Sequence, residues 1–274
     1  MQSTALPQPA PPESNGAVDR TEPLVSPPDY DLSYRDDFWP AREYEDRSDR
    51  LAIRALLPPT GDDLLDLGAG FGRLADEYSG YRRVNLVDAS PTRLEAAAER
   101  HAGDPRIRLI RADAAALPFP DQSIDTVVAV RLLVHVRDPR PVFAEVRRVL
   151  RPGGTFIVEF PNRRQLLALA RYLAHRQSWT PAGAAPHEYL EDHFAHQPAR
   201  LRRQLAHSGL TVDAVRAASL FRADWLKRHC GTDRLTRLEV HLQRPLGRLY
   251  LSPSVYFRTR TGDATTIWPG RSGG

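Results

Sequence analysis

Between residues 61 and 161 short apolar runs alternate with stretches of helical periodicity, the pattern of βαβ units in which helices cover a parallel sheet. The runs at 64–67, 84–87, 107–110, 124–130 and 155–160 predict strands. Thr126 to Val130 is almost continuously apolar, as a strand buried on both faces requires. Residues 72–78, 91–101 and 141–150 read as the intervening helices. Upstream, Leu51, Ile53, Ala55, Leu56 and Leu57 precede Pro58-Pro59, which predicts a helix stopped by proline. Downstream the pattern predicts a helix over 164–175, a Pro-, Gly- and Ala-rich loop over 178–186, and a helix over 198–207 ending at Gly209. Residues 211–215 and 255–259 alternate as strands, separated by an Arg-rich helical section over 220–249. Within that section Leu235, Leu238, Leu242 and Leu249 form an apolar stripe with arginines around it, suited either to covering a substrate pocket, the preferred reading, or to docking on a membrane surface.

Composition is that of an ordinary globular chain: 274 residues, 41% hydrophobic and 26% charged. One cysteine, Cys230, excludes an internal disulfide and fits a reducing compartment. No stretch reaches the ~18–20 apolar residues needed to cross a bilayer, so a cytoplasmic protein is expected. Seven of 24 prolines fall in residues 1–28, which read as a disordered tail. Residues 29–60 read as an N-terminal helical segment, either a lid or a helix packed on the sheet. One domain over 61–261 follows, then a flexible tail over 262–274. The net charge of +4 hides an asymmetry: residues 29–162 carry 19 basic against 23 acidic side chains, and residues 163–274 carry 18 against 8. A chain that bound nucleic acid through its whole surface would not gather its acids in one half.

The most informative stretch is Asp66-Leu67-Gly68-Ala69-Gly70-Phe71-Gly72, an apolar strand running into glycines and then a helical pattern. Glycines there let the backbone turn sharply and approach a ligand closely. The dinucleotide fingerprint G-x-G-x-x-G is a competing reading, but the third glycine comes one residue early. Two acids at predicted strand ends favour a nucleoside. Asp88 can accept from a ribose diol, and Asp113 from an exocyclic amine.

With Ala115-Ala116-Leu117-Pro118-Phe119, Ser123-Ile124-Asp125-Thr126-Val127 and Val149-Leu150-Arg151-Pro152-Gly153-Gly154-Thr155 following in order, the sequence resembles the class I S-adenosylmethionine-dependent methyltransferases, in particular the branch of the ubiquinone and menaquinone biosynthesis enzymes. The resemblance implies an α/β fold: a Rossmann-like, seven-stranded, mostly parallel sheet with helices on both faces and an antiparallel last strand. It divides the domain into a cofactor half, 61–162, and substrate-shaping insertions, 163–250. It implies S-adenosylmethionine held by Asp66, Gly68, Ala69, Gly70, Phe71 and Gly72, by Asp88 and Ala89 at the ribose, by Asp113 and Ala114 at the adenine, and by Arg131 near the methyl group.

Methyl transfer from a sulfonium needs alignment and exclusion of water more than a dedicated base. His135 and Arg131 are the candidate catalytic side chains, and Tyr34, Trp39, Tyr44 and Asn162 are candidates for shaping the substrate site. His193 and His196 read as packing or capping residues, and a His-x-x-His pair without a third ligand predicts no metal. The expected partner is a small-molecule acceptor, with preference for an anionic or membrane-associated one because the positive charge lies in the substrate-shaping half. Competing readings are an RNA or protein methyltransferase and a non-catalytic cofactor-binding module. Oligomeric state is left open.

Overall fold

In the computed structural model residues 42–262 are described. The expectations for residues 1–28, for Tyr34 and Trp39, and for residues 263–274 lie outside them. Helix α1 (Glu43–Leu56) leads into β1 (Gly61–Leu67), β2 (Tyr81–Asp88), α2 (Pro91–Arg100), β3 (Ile107–Arg111), β4 (Ile124–Ala129), α3 (Arg140–Val149) and β5 (Leu150–Pro161). Then come α4 (Leu166–Leu173), a hairpin of β6 (His187–Leu190) and β7 (His193–Ala195), α5 (Pro198–His207), β8 (Leu210–Ala218), α6 (Asp224–Cys230), α7 (Thr232–Gly247) and β9 (Ser254–Thr261). Seven strands form one sheet in the order β3-β2-β1-β4-β5-β9-β8. The five strands from β1 to β5 pair in parallel, and β9 runs antiparallel between β5 and β8. The expected sheet is therefore present, with its last strand reversed.

Local chemistry explains the element boundaries. Ser90 caps α2, accepting from the Arg93 N–H, and Pro91 occupies the first turn, where its missing donor costs nothing. Gln197 does the same for α5 by accepting from the Arg200 N–H at 2.7 Å. Two apolar layers sandwich the sheet. Leu65, Val127, Phe156 and Val158 pack with Phe143 and Val146 of α3 and with Leu201 and Leu205 of α5. On the other face Leu64, Leu86, Val128 and Ile157 pack with Ala52, Ile53 and Leu56 of α1.

Three differences from the sequence pattern have physical causes. Residues 72–78 are turns followed by a 3-10 helix at Ala75–Tyr78, because Leu74, Ala75 and Tyr78 are all drawn into the core within one tight loop. The section 220–249 is two helices, separated at Gly231, which adopts φ +73°. The leucine stripe does not form the buried face of α7. Leu235 is buried, but the positions that follow it inward are Glu239, Gln243 and Gly247, while Leu238 and Leu249 are exposed.

Gly247 is required there, since a Cβ would stand 2.9 Å from the backbone nitrogen of Ala217. Glu239 is held by polar groups that the pattern of apolar residues conceals. Its carboxylate accepts from the hydroxyls of Tyr44 and Ser48 on α1 and from the Ser219 N–H at 2.9 Å. Burial pushes that carboxyl up to about 7. Tyr44 is thus a strut between α1 and α7, and the described part of the expected 29–60 lid is a helix packed on the sheet. Replacing Glu239 with Ala leaves the buried hydroxyls of Tyr44 and Ser48 without their acceptor, while the Ser219 N–H keeps Ser48 Oγ at 2.7 Å, and urea unfolding should show a loss of about 3 kcal/mol.

Candidate active site

The strand order reverses between β1 and β4, and ligands of open α/β sheets bind at that point, beyond the carboxyl ends of the strands. There the chain builds a cleft with two adjoining lobes, open to solvent, of about 490 and 500 Å³ of empty space. The first is lined by Leu67, Val87, Ala89, Ala112 and Leu132, and by Asp88 and Asp113. The second is lined by Asp66, Ala69, Phe71, Arg73 and Val130. Gly68, Arg93, Arg131 and His135 border both.

The glycine turn makes this space. Gly68 has φ +75° and Gly70 φ +58°, a region that side chains rarely enter. The N–H groups of Gly68 and Ala69 both donate to the Val87 carbonyl, at 2.8 and 3.0 Å, folding the turn against β2. Asp88 then fastens it: one carboxylate oxygen accepts from the Gly70 N–H at 2.8 Å, the other from the Ser90 N–H at 2.9 Å. Gly72 serves packing, because a Cβ there would lie 2.6 Å from His101 Nε2. Neither Gly70 nor Gly72 is among the residues lining the two lobes.

Asp66 is buried and accepts from the Tyr78 hydroxyl at 2.9 Å. Burial drives its pKa up to about 7 against the opposing pull of that hydrogen bond and of Arg73. Asp113 turns the chain after β3 by accepting from the Ala115 N–H at 2.9 Å. His135 lies in the short 3-10 turn after β4, with its ring 4.8 Å from that of His193 in edge contact. Burial and the neighbouring His193 lower its pKa to about 4, so the imidazole is neutral at physiological pH.

Arg131, directly after β4 and Val130, holds φ +60°, uncommon for a residue with a side chain. Both of its ends are anchored: its N–H donates to Glu159 at 2.9 Å and its guanidinium to Asp49 at 3.1 and 3.2 Å. Arg73 reaches the same Asp49 oxygen at 3.0 Å, and the Tyr256 hydroxyl donates to the other at 2.7 Å. Arg131 therefore forms part of the wall, tied to a buried carboxylate.

Asn162, expected to shape a substrate site, is fully buried. Its amide donates to the carbonyls of Tyr250 and Ser252, both at 2.8 Å, and its oxygen accepts from the Arg164 N–H. Its hydrogen bonds hold loops together, and Tyr44 is likewise committed to Glu239. His196 packs as expected, with Nε2 2.9 Å from the Leu133 carbonyl. Asp49, Glu159, Tyr78 and Arg93 reach the site without having been singled out, and His193, read as a packing or capping residue, lies against His135. Asp49 lies on the face of α1 that also buries Glu45, Ser48 and Ala52, so a search for apolar periodicity passes over it.

Residues 65–158 match the family described as a methyltransferase domain. The chain is 32% identical over 190 residues to a demethylmenaquinone methyltransferase of Clavibacter sepedonicus, covering 66% of this chain and 71% of that protein. It is 36% identical over 129 residues to a protein of Mycolicibacterium smegmatis described as a probable S-adenosylmethionine-dependent methyltransferase, and there the match spans 47% of each chain. The fold is similar to that of a methyltransferase of Thermotoga maritima described as a possible histamine N-methyltransferase, with a TM-score of 0.59, 18% identity, and coverage of 84% of this chain and 96% of that one. The chain belongs to the S-adenosylmethionine-dependent methyltransferases, and S-adenosylmethionine is the cofactor of that class.

Removal of the Asp49 carboxylate would leave the guanidiniums of buried Arg73 and partly buried Arg131 facing each other. Asp49→Ala should cost about 3–5 kcal/mol in urea unfolding, where an exposed pair such as Arg140–Asp138 should cost under about 1 kcal/mol.

Proposed function

We infer that the protein methylates a small-molecule acceptor, and the observation that carries this reading is the two-lobed cleft at the strand-order reversal with His135 bordering both lobes. The residues suit the cofactor. The first lobe combines apolar walls for a flat ring with two carboxylates able to accept from hydroxyls and an amine. The second has a buried acid, Asp66, beside a turn with no Cβ at Gly68. In this reading Asp88 and Ala89 take the ribose, Asp113 and Ala114 the adenine, and Asp66 with the turn Gly68-Ala69-Gly70-Phe71 the amino-acid end. Gly72 supports that turn from behind.

When bound, the cofactor supplies a methyl group on a sulfonium, which an acceptor's lone pair displaces in line. The chain's part is alignment and exclusion of water. Neutral His135 can accept a hydrogen bond from an acceptor hydroxyl or amine, and a pKa near 4 suits it to orienting that group better than to removing its proton outright. Arg131, fixed by Asp49 and Glu159, shapes the wall without being available as a proton donor. The likeness to a quinone methyltransferase favours a small organic acceptor over RNA or protein.

Calorimetry with S-adenosylmethionine tests the cofactor site. Asp88→Ala should weaken binding about 100-fold, the equivalent of about 3 kcal/mol for two charge-assisted hydrogen bonds; no binding by the parent protein would overturn the reading. A cationic amine held by Asp66 binds its carboxylate form. Below the pKa of about 7 that form declines, so affinity should fall close to tenfold for each pH unit from 6.5 to 5.5, and Asp66→Asn should remove the dependence. A screen of metabolite extracts with methyl-labelled cofactor would then identify the acceptor. His135→Ala should lower kcat on that acceptor by about 10–100-fold, with cofactor affinity changed less than about threefold.

A further inference from the structure

Helix α4 reverses the usual arrangement of a surface helix. Of its eight residues Ala168 alone is buried, while Leu166, Leu167 and Leu173 are 61%, 55% and 76% exposed. The 3.6-residue repeat places Leu166, Ala170 and Leu173 on one outward face with Leu167 beside them. A single exposed leucine needs no explanation, but a row of them on one helical face marks a docking surface.

Charge identifies what it docks on. From Arg163 to His187 the sequence has four arginines and no carboxylate. Arg164, Arg171 and Arg176 are exposed. Arg163 is buried and committed internally, donating to the Thr180 carbonyl at 2.8 Å and lying 5.5 Å from the Trp179 ring. Trp179 stacks on His187, so the loop after α4 is pinned to the β6–β7 hairpin.

The position of α4 connects it with the cleft. It follows the carboxyl end of β5, the same end of the parallel strands beyond which the cleft lies. The hairpin completes the link: the exposed Tyr189 ring lies 6.1 Å from His193, which lies 4.8 Å from His135 of the cleft. Self-pairing of this face in a two-fold dimer would set arginine against arginine, with no acid in the segment to offset it.

We propose that α4 and its exposed arginines dock the protein on a bilayer surface rich in anionic lipid, with the leucines in the acyl boundary and the open edge of the cleft toward the membrane. Leucines beside arginines without acids are the composition of interfacial helices that bind anionic headgroups.

The test is sedimentation of the full chain with vesicles of phosphatidylcholine alone or mixed equally with phosphatidylglycerol. Binding is expected to the mixed vesicles at low salt and to fall as salt is raised. Leu166→Ser with Leu173→Ser should weaken it about tenfold or more. Arg164→Gln, Arg171→Gln and Arg176→Gln together should weaken it about 100-fold. Circular dichroism and cofactor calorimetry should match the parent in both variants, which keeps misfolding apart from lost docking. Absence of binding to the mixed vesicles overturns the proposal, as does equal binding by both variants. A dimer dispersed by the leucine substitutions, without vesicle binding, would assign the face to a second copy. Sedimentation reads docking without turnover, so its failure leaves the methyl-transfer reading standing.

Discussion

One buried carboxylate holds the cleft's shape. Asp49 of α1 is fully enclosed, and it receives Arg131 from the end of β4, Arg73 from the segment after the glycine turn, and Tyr256 from β9. Burial alone would raise its pKa, but the two guanidiniums overcome that and hold it below the usual carboxylate range. Such a charge survives in a core only when its partners are complete. The N-terminal helix, the turn region and the antiparallel strand are thereby fixed to the same point, and the left-handed backbone of Arg131 is kept in place. Glu159 lies on the other side of Arg131 and shows the opposite balance: burial raises its pKa, and Arg131, shared with Asp49, offsets this only in part.

The two halves of the chain use charge differently. In residues 29–162 many acids are structural: Asp49 anchors, Asp88 fastens the Gly70 turn, Asp113 turns the chain after β3, and Glu77 holds Arg50 and Arg54 of α1. In the second half several arginines have no acid close in sequence, and four of its 18 basic side chains lie on or beside the outward apolar helix α4.

Which features could be read in advance depended on the range of the forces involved. Strand positions followed from runs of apolar side chains, since a sheet covered on both faces imposes that composition directly. The turn 68–72 was visible because positive φ leaves few residue choices. Tyr44, Asn162 and Arg131 were chemically conspicuous, but what each does depends on partners far along the chain: Glu239 is 195 residues from Tyr44, and the carbonyls held by Asn162 lie 88 and 90 residues away. The leucine stripe of 220–249 was misplaced for the same reason. Glu239 and Gln243 could take the inward face of α7 only because α1 and Ser219, directly after β8, supply hydrogen bonds to them.

The sequence by itself determined the layers, the strands, the glycine turn and the acids at the ends of β2 and β3, because those follow from local periodicity, backbone sterics and short-range order. Tertiary structure decided which polar side chains face the cleft and which hold it together. A carboxylate becomes an anchor or a ligand according to the donors and solvent around it, and those come from elements brought together only by folding. It also decided that the leucines of α4 point outward, since which face of a short apolar helix is covered depends on the neighbours that the fold supplies.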